Sequence, residues 1–410
     1  MESITACMKN KLIAILILVA PLLNAQSSLQ PPNPNVEQTI LPNKTLLINV
    51  LFEKGYNKWS KDSLINIMLP AVWKEQDSIV AANPKESKII RYYYARKLFT
   101  FSDGIKNNMS KNAAWKVIAD TSFSKVSLPD TSLFLSSASA NLYVSNFVAN
   151  ELLSLFLKAR ETGELIIQQK LDLPLDSLKK ISMKYGETFL TILYAQKILP
   201  PPLHEHYLAS QLYNKVENKD LMTSIAIYEE LEKKYPRSQW LTVYESKLNQ
   251  LDIITRQNKN DKDIVFIKHA DSITSLKKLI APFKGKVVYL DIWGSWCGPC
   301  ISEIANHTKP LKKYFEDEDQ LVYLYLAMET PADIDKWREF ILLHGIKGYH
   351  LNKSDKTIEP FWQELLGTVN VSRKYPTFAI FDKDGKVLTA DAYRPSQTEA
   401  LYQQLKEALQ

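Results

Sequence analysis

The stretch Val287-Val288-Tyr289-Leu290-Asp291-Ile292-Trp293-Gly294-Ser295-Trp296-Cys297-Gly298-Pro299-Cys300 decides the fold of the C-terminal part of the chain. Its first seven residues are mostly apolar, with β-branched and aromatic side chains, and read as a buried strand running into a turn. Pro299 fits the first turn of a helix, where its missing N–H costs nothing, so a helix is expected to open at Cys297. At that position unpaired backbone N–H groups and the positive end of the helix dipole favour thiolate over thiol. Cys297 is therefore the expected attacking nucleophile. Cys300, one turn further in, is placed to attack a mixed disulfide formed there. Asp291 sits between Leu290 and Ile292 on the buried strand, where an unpaired carboxyl is costly, and that cost points to a functional role.

Around this segment the texture is α/β: seven of the eleven glycines fall in the last 150 residues, and short β-type runs alternate with helical patterns. The expected elements are strand 264–267, helix 272–281, strand 287–293, and helix 297–315 kinked at Pro310. Strand 321–328, helix 332–344, a short strand at 349–351 and helix 358–366 follow. Strands 377–382 and 387–391 form a hairpin turning at Asp384-Gly385, and the last helix is expected at 396–409.

Residues 45–256 contain only Gly55, Gly104, Gly163 and Gly186 and show apolar residues at three-and-four spacing, for example over 142–160, 188–199 and 221–234. They predict a mainly α-helical domain of unknown role. Pro200-Pro201-Pro202 and Pro236 interrupt it, with Ser238 as a helix cap. The pair 221–234 and 239–254 is similar to one tetratricopeptide-like hairpin, but no clear second repeat accompanies it, so ordinary helical packing is expected. The polar run 256–262 reads as a linker.

Upstream, Leu12–Leu23 is a twelve-residue apolar run preceded by Lys9 and Lys11 and followed by Ala25. It is shorter than the roughly 18–20 residues of a spanning helix and has the layout of a cleavable secretory signal peptide. The expected division is thus 1–25 signal peptide, 26–44 extended Pro/Asn/Gln/Ser-rich tether, 45–256 helical domain and 257–410 α/β domain. An uncleaved signal leaves a membrane tether. Either way the body is exported, and the mature chain keeps only Cys297 and Cys300, a pair that reads as a redox device in an oxidising compartment.

The C-terminal region, about residues 263–410, resembles the thioredoxins through the WCGPC motif Trp296–Cys300. Asp291, six residues before Cys297, matches their buried aspartate, which exchanges a proton with the second cysteine. Tyr375-Pro376-Thr377 matches their cis-proline loop. Glu303, three after Cys300, matches the acidic residue of the TlpA/ResA-type exported thiol-disulfide oxidoreductases. Pro376 lies 76 positions after Cys300, which leaves room for the inserted helix and strand of that type, with 332–344 as the helix. Two departures stand out: Ile304-Ala305-Asn306 follows where that type commonly has a proline, and strand 321–328 lacks the lysine that partners the buried aspartate in cytosolic thioredoxins.

The resemblance implies a thioredoxin fold and a periplasmic or otherwise extracytoplasmic disulfide reductase. Its substrates would be protein disulfides, and it would be kept reduced by a membrane thiol donor. Cys297, Cys300, Asp291 and Glu303 would be catalytic, and Trp296, Gly298, Pro299, Tyr375, Pro376 and Thr377 would contact substrate. The redox-active pair itself takes the place of any cofactor. Alternatives are an oxidase or isomerase of the same fold, or an envelope binding protein whose helical domain recruits a partner.

Other chemistries find little support. Structural zinc wants four ligands, and the mature chain has no third cysteine. His204-Glu205-His206 has its histidines two apart, which do not share a helix face. The acidic run 316–319 lacks calcium-loop spacing, and no phosphate loop or nucleotide fingerprint is present. The peroxiredoxin cysteine context is absent. The net charge of +6 is spread without basic blocks, so no nucleic-acid partner is expected.

Overall fold

The computed structural model describes residues 46–53, 55, 59–108, 113–367 and 373–410. The expected signal peptide and tether lie outside these. Among the described residues no helix is long and apolar enough to cross a membrane. The chain forms two compact units. One comprises residues up to Lys179 with Glu187–Tyr213 and Ile227–Tyr244; the other comprises Lys180–Gly186, Asn214–Ala226 and Glu245–Gln410.

The first unit is helical, as its glycine-poor periodic sequence predicts. Helices α1 (Leu69–Ala82) and α2 (Ser87–Asn108) bury Trp73, Tyr94, Leu98 and Phe101 in one cluster. Helix α3 (Ala138–Thr162) buries Tyr143, Val144 and Val148 in a second. Ser137 caps α3 by accepting from Ala140 N at 3.2 Å. Helix α4 (Pro201–Glu217) opens on the prolines that end the preceding helix. His204 and His206 engage separate partners: His204 Nδ1 lies 2.8 Å from the Tyr235 hydroxyl, and His206 Nδ1 accepts from Trp240 Nε1 at 3.2 Å.

Helix α5 spans Leu221–Lys234, and α6 runs from Gln239 to Lys259, five residues past its expected end. The start of the expected linker is therefore helical. Arg256, Gln257 and Lys259 are good helix formers, and Arg256 pairs with Asp252 one turn back at 2.7 Å.

The second unit is built on a six-stranded mixed sheet of order β1-β4-β3-β2-β5-β6: β1 Ile264–Phe266, β2 Val287–Trp293, β3 Leu321–Met328, β4 Gly348–Lys353, β5 Thr377–Phe381 and β6 Val387–Thr389. β1, β4, β3 and β2 run parallel; β5 pairs antiparallel with β2, and β6 antiparallel with β5. Helices α7 (Gly298–Tyr314), α8 (Ile334–His344), α9 (Glu359–Leu366) and α10 (Thr398–Leu409) flank it. The expected insertion is α8 with β4, and β4 occupies the place between β1 and β3.

Gly348, at φ +124°, allows that strand to start so close to β3, since a Cβ there would lie 2.6 Å from the Tyr323 carbonyl oxygen. The helix expected at 272–281 is shorter and broken. Ile273 is extended, Ser275 caps a turn at Leu276–Ile280 by accepting from Lys278 N at 3.1 Å, and 3₁₀ turns flank it.

β2 is buried on both faces. Val288, Leu290 and Ile292 pack with Phe361 and Trp362 of α9, while Val287 and Tyr289 pack with Leu311 of α7 and Leu401 of α10. Each such side chain contributes about 1.5–3 kcal/mol. The two-residue period of the strand therefore sends Asp291, with Tyr289 and Trp293, toward the face covered by α7.

Candidate active site

Cys297 is the N-cap of α7: its backbone is extended, its N–H donates to Gly294 O at 3.0 Å, and its Sγ accepts from Cys300 N at 3.3 Å. Its sulfur is bonded to that of Cys300. Cys297 keeps 6% of its surface exposed and Cys300 none, so solvent reaches only the first sulfur. Gly298 and Pro299 between them are exposed.

The turn before Cys297 is held against the carboxyl end of β3. Trp296 is half exposed, yet its indole N–H donates to Met328 O at 2.8 Å. Gly294 makes this fold-back feasible: a Cβ there would clash with the indole nitrogen, lie 2.6 Å from the indole Cε2 and 3.1 Å from Met328 O. One residue along on each side, Glu329 accepts from Ser295 N at 2.6 Å and from Ser295 Oγ at 2.8 Å. Glu329 is 1% exposed, and burial pushes its carboxyl up to about 7. The Ser295 hydrogen bonds oppose that rise and Asp333 adds to it.

Opposite lies the Tyr375-Pro376 loop. The peptide bond is cis, as expected. Ile292 pairs with Thr377 in the β2–β5 ladder, so one further step brings Pro376 opposite Trp293. The Tyr375 ring packs edge-on against Trp296 at 5.1 Å and against Trp362 at 5.6 Å. Trp296, Tyr375, Pro376 and the disulfide thus share one end of the sheet.

Beneath α7, Asp291 is buried and its Oδ1 has no hydrogen-bond partner. Burial raises its pKa well above the carboxylate range, Glu303 raises it further, and Lys312 acts in the opposite direction. Glu303 is also buried, and both its oxygens are engaged, accepting from Ser396 N at 2.9 Å and Ser396 Oγ at 2.7 Å. It faces Asp291 electrostatically while tying α7 to the turn that precedes α10.

The lysine missing from β3 has a counterpart on α7. Cys300, Ile304, Thr308 and Lys312 form one i+4 ridge. Half-buried Lys312 places its ammonium 4.8 Å from the Tyr323 ring and 5.0 Å from that of Tyr325, the register partner of Asp291, and donates to Lys347 O. Burial, with help from Lys347, lowers Lys312 to about 7.

The structure gathers Trp296, the disulfide and the Tyr375–Thr377 loop at one end of the sheet, and places Asp291 on β2 under α7 and Glu303 on α7 itself. It adds Ser295, Glu329, Lys312 and Ser396, which sequence reading missed. The i+4 ridge signals Lys312, and the general location of sites at carboxyl ends of strands in open α/β sheets signals Glu329. Nothing local marks the two serines.

The fold and this arrangement define a class. Residues 285–387 match the thioredoxin-like family model, and the C-terminal part of the chain is a thioredoxin-like domain. It is similar to the thiol-disulfide oxidoreductase ResA of Bacillus anthracis, with 33% identity over 106 residues that make up 26% of this chain and 54% of that protein. A ResA of Bacillus cereus is 33% identical over 105 residues, with the same shares of each chain. The chain spans about half the length of the curated relatives it matches. Among solved structures, the thiol:disulfide interchange protein of the thioredoxin family from Chlorobium tepidum is 19% identical, with TM-score 0.26 over 32% of this chain and 85% of that one. The thioredoxin domain of a thiol-disulfide oxidoreductase from Bacteroides vulgatus is 20% identical, with TM-score 0.26 over 32% and 84%.

Proposed function

We propose that the chain is an exported thiol-disulfide oxidoreductase that reduces protein disulfides. The observation that carries this reading is the burial asymmetry of the pair. Cys297 alone reaches the surface, beside the exposed Trp296 and the cis-Pro376 loop, while Cys300 waits beneath it. In the dithiol form the Cys297 thiolate attacks one sulfur of a substrate disulfide. The substrate S–S bond breaks, a Cys297–substrate disulfide forms, and one substrate thiolate leaves. Once Asp291 has lost its own proton, Cys300 gives it one and attacks Cys297 Sγ, which forms the Cys297–Cys300 bond and expels the second substrate thiolate.

Trp296, Gly298, Pro299 and the 375–377 loop receive the peptide that flanks the substrate disulfide. Two electrons from a thiol donor at the membrane restore the dithiol. The exchange needs no metal or organic cofactor. Reduction is favoured over oxidation because Gly298-Pro299 resembles the dipeptide of reducing members, whose potentials lie near the roughly −270 mV of thioredoxin. The apolar segment Leu12–Leu23 supports export.

The test is insulin reduction by the full chain with dithiothreitol as donor, together with covalent trapping by C300S in cells. Turnover and reducible adducts on Cys297 are expected. Absence of both overturns the reading and favours an envelope binding role.

A further inference from the structure

We propose that Glu329 is the positioning residue of the exchange: by gripping Ser295 through both carboxylate oxygens it sets the 294–297 turn, and with it the Trp296 indole and the Cys297 sulfur, against an incoming disulfide. The proposal rests on the reading above.

The geometry favours a grip on this turn over a generic buried polar contact. Consecutive residues 295 and 296 are tied to consecutive residues 329 and 328, through the Ser295 N–H and hydroxyl and the Trp296 indole. Glu329 is itself immobilised, since its N–H donates to Lys353 O at 2.8 Å and extends the β3–β4 pairing by one residue. The turn closes through Cys297 N to Gly294 O, so the segment moves as a block with the end of β3. Both carboxylate oxygens serve a single serine. Burying a carboxyl is expensive, and here both oxygens are committed to one residue of the turn that presents the nucleophile. Displacements of about 1 Å from reactive geometry reduce rates up to about 100-fold, so these ties have kinetic consequences.

The experiment compares wild type, E329A, E329Q and S295A as full chains. Gln keeps the grip without the charge, since its amide oxygen accepts from Ser295 N–H and its amide nitrogen donates to Ser295 Oγ. E329A is expected to lose about tenfold in kcat/KM toward a peptide disulfide, and to speed amide hydrogen exchange at 294–297 by a similar factor, while E329Q stays within about threefold of wild type in both. Wild-type behaviour of E329A overturns the proposal, as does an E329Q as impaired as E329A, because charge and not grip would then be the agent. If E329A fails to fold, S295A carries the test, with an expected fall of about two- to fivefold in kcat/KM, and no fall overturns it. The exchange measurement needs no substrate. A wild-type chain that reduces nothing but whose 294–297 amides loosen in E329A refutes the functional reading and leaves the grip established.

Discussion

Replacing Glu329 with Gln removes a titrating group from the middle of the thioredoxin-like domain while leaving its hydrogen bonds to Ser295 available. The folded protein raises this carboxyl from its ordinary 4.5 to about 7. A carboxyl raised on folding binds its proton more tightly in the folded state. The associated stability is fully present below the unfolded value and is lost as pH climbs through the folded one. At about 1.4 kcal/mol for each tenfold in proton affinity, the loss between pH 4.5 and 8 is roughly 3 kcal/mol. The side chain is buried, so little solvent screening reduces this figure.

The neutral amide has no such dependence, so the E329Q variant gains about 3 kcal/mol on wild type over that range. Other groups shifted in the same window cancel in the difference. They include Glu339, raised to about 7, and His204 and His344, each lowered to about 4 by burial. The measurement is hydrogen exchange of β2 and β3 amides in the oxidised full chain of both proteins at stepped pH. A difference that stays flat within about 0.5 kcal/mol refutes the reasoning.

Three further outcomes are expected. D291N should slow resolution by Cys300 more than attack by Cys297 at neutral pH, because the buried proton acceptor is gone; equal slowing of both steps in stopped-flow removes that role. K312M should push the Asp291 carboxyl still higher, since Lys312 is the group holding it down. The pH–rate profile of resolution should then move upward, and an unmoved profile shows that Lys312 does not act on Asp291. G348A places a Cβ 2.6 Å from Tyr323 O at a φ of +124° and should destabilise the domain by about 1–3 kcal/mol in denaturant titration; a change under about 0.5 kcal/mol contradicts the close approach of β4 to β3.

Much of the domain was legible because its signals are local. The apolar run 287–293 declared a buried strand with Asp291 on it, while the packing of Leu311 against Tyr289 shows that Asp291's face is the one toward α7. The match at Tyr375-Pro376 located the loop opposite Trp293. What escaped were groups whose meaning depends on distant partners. Ser295 and Ser396 are ordinary turn residues until Glu329 and Glu303 meet them across 34 and 93 positions. Lys312 was overlooked because resemblance directed attention to a lysine on β3, while the helix supplies one from its own ridge. The end of α6 was misread for the same reason in reverse: polarity suggested a linker, and an i,i+4 ion pair sustained the helix.

The Glu303–Ser396 contact also governs where the domain can be excised. A fragment cut to residues 285–387 lacks the serine and so strands a carboxylate in the interior, next to the already destabilised Asp291, without the two donors that offset its dehydration. It forfeits the closing helix at 398–409, the edge strand at 264–266 and most of the opposite edge strand at 387–389 as well. Any recombinant version intended to fold alone must therefore keep the chain intact through Leu409, well past residue 387, where the family match ends.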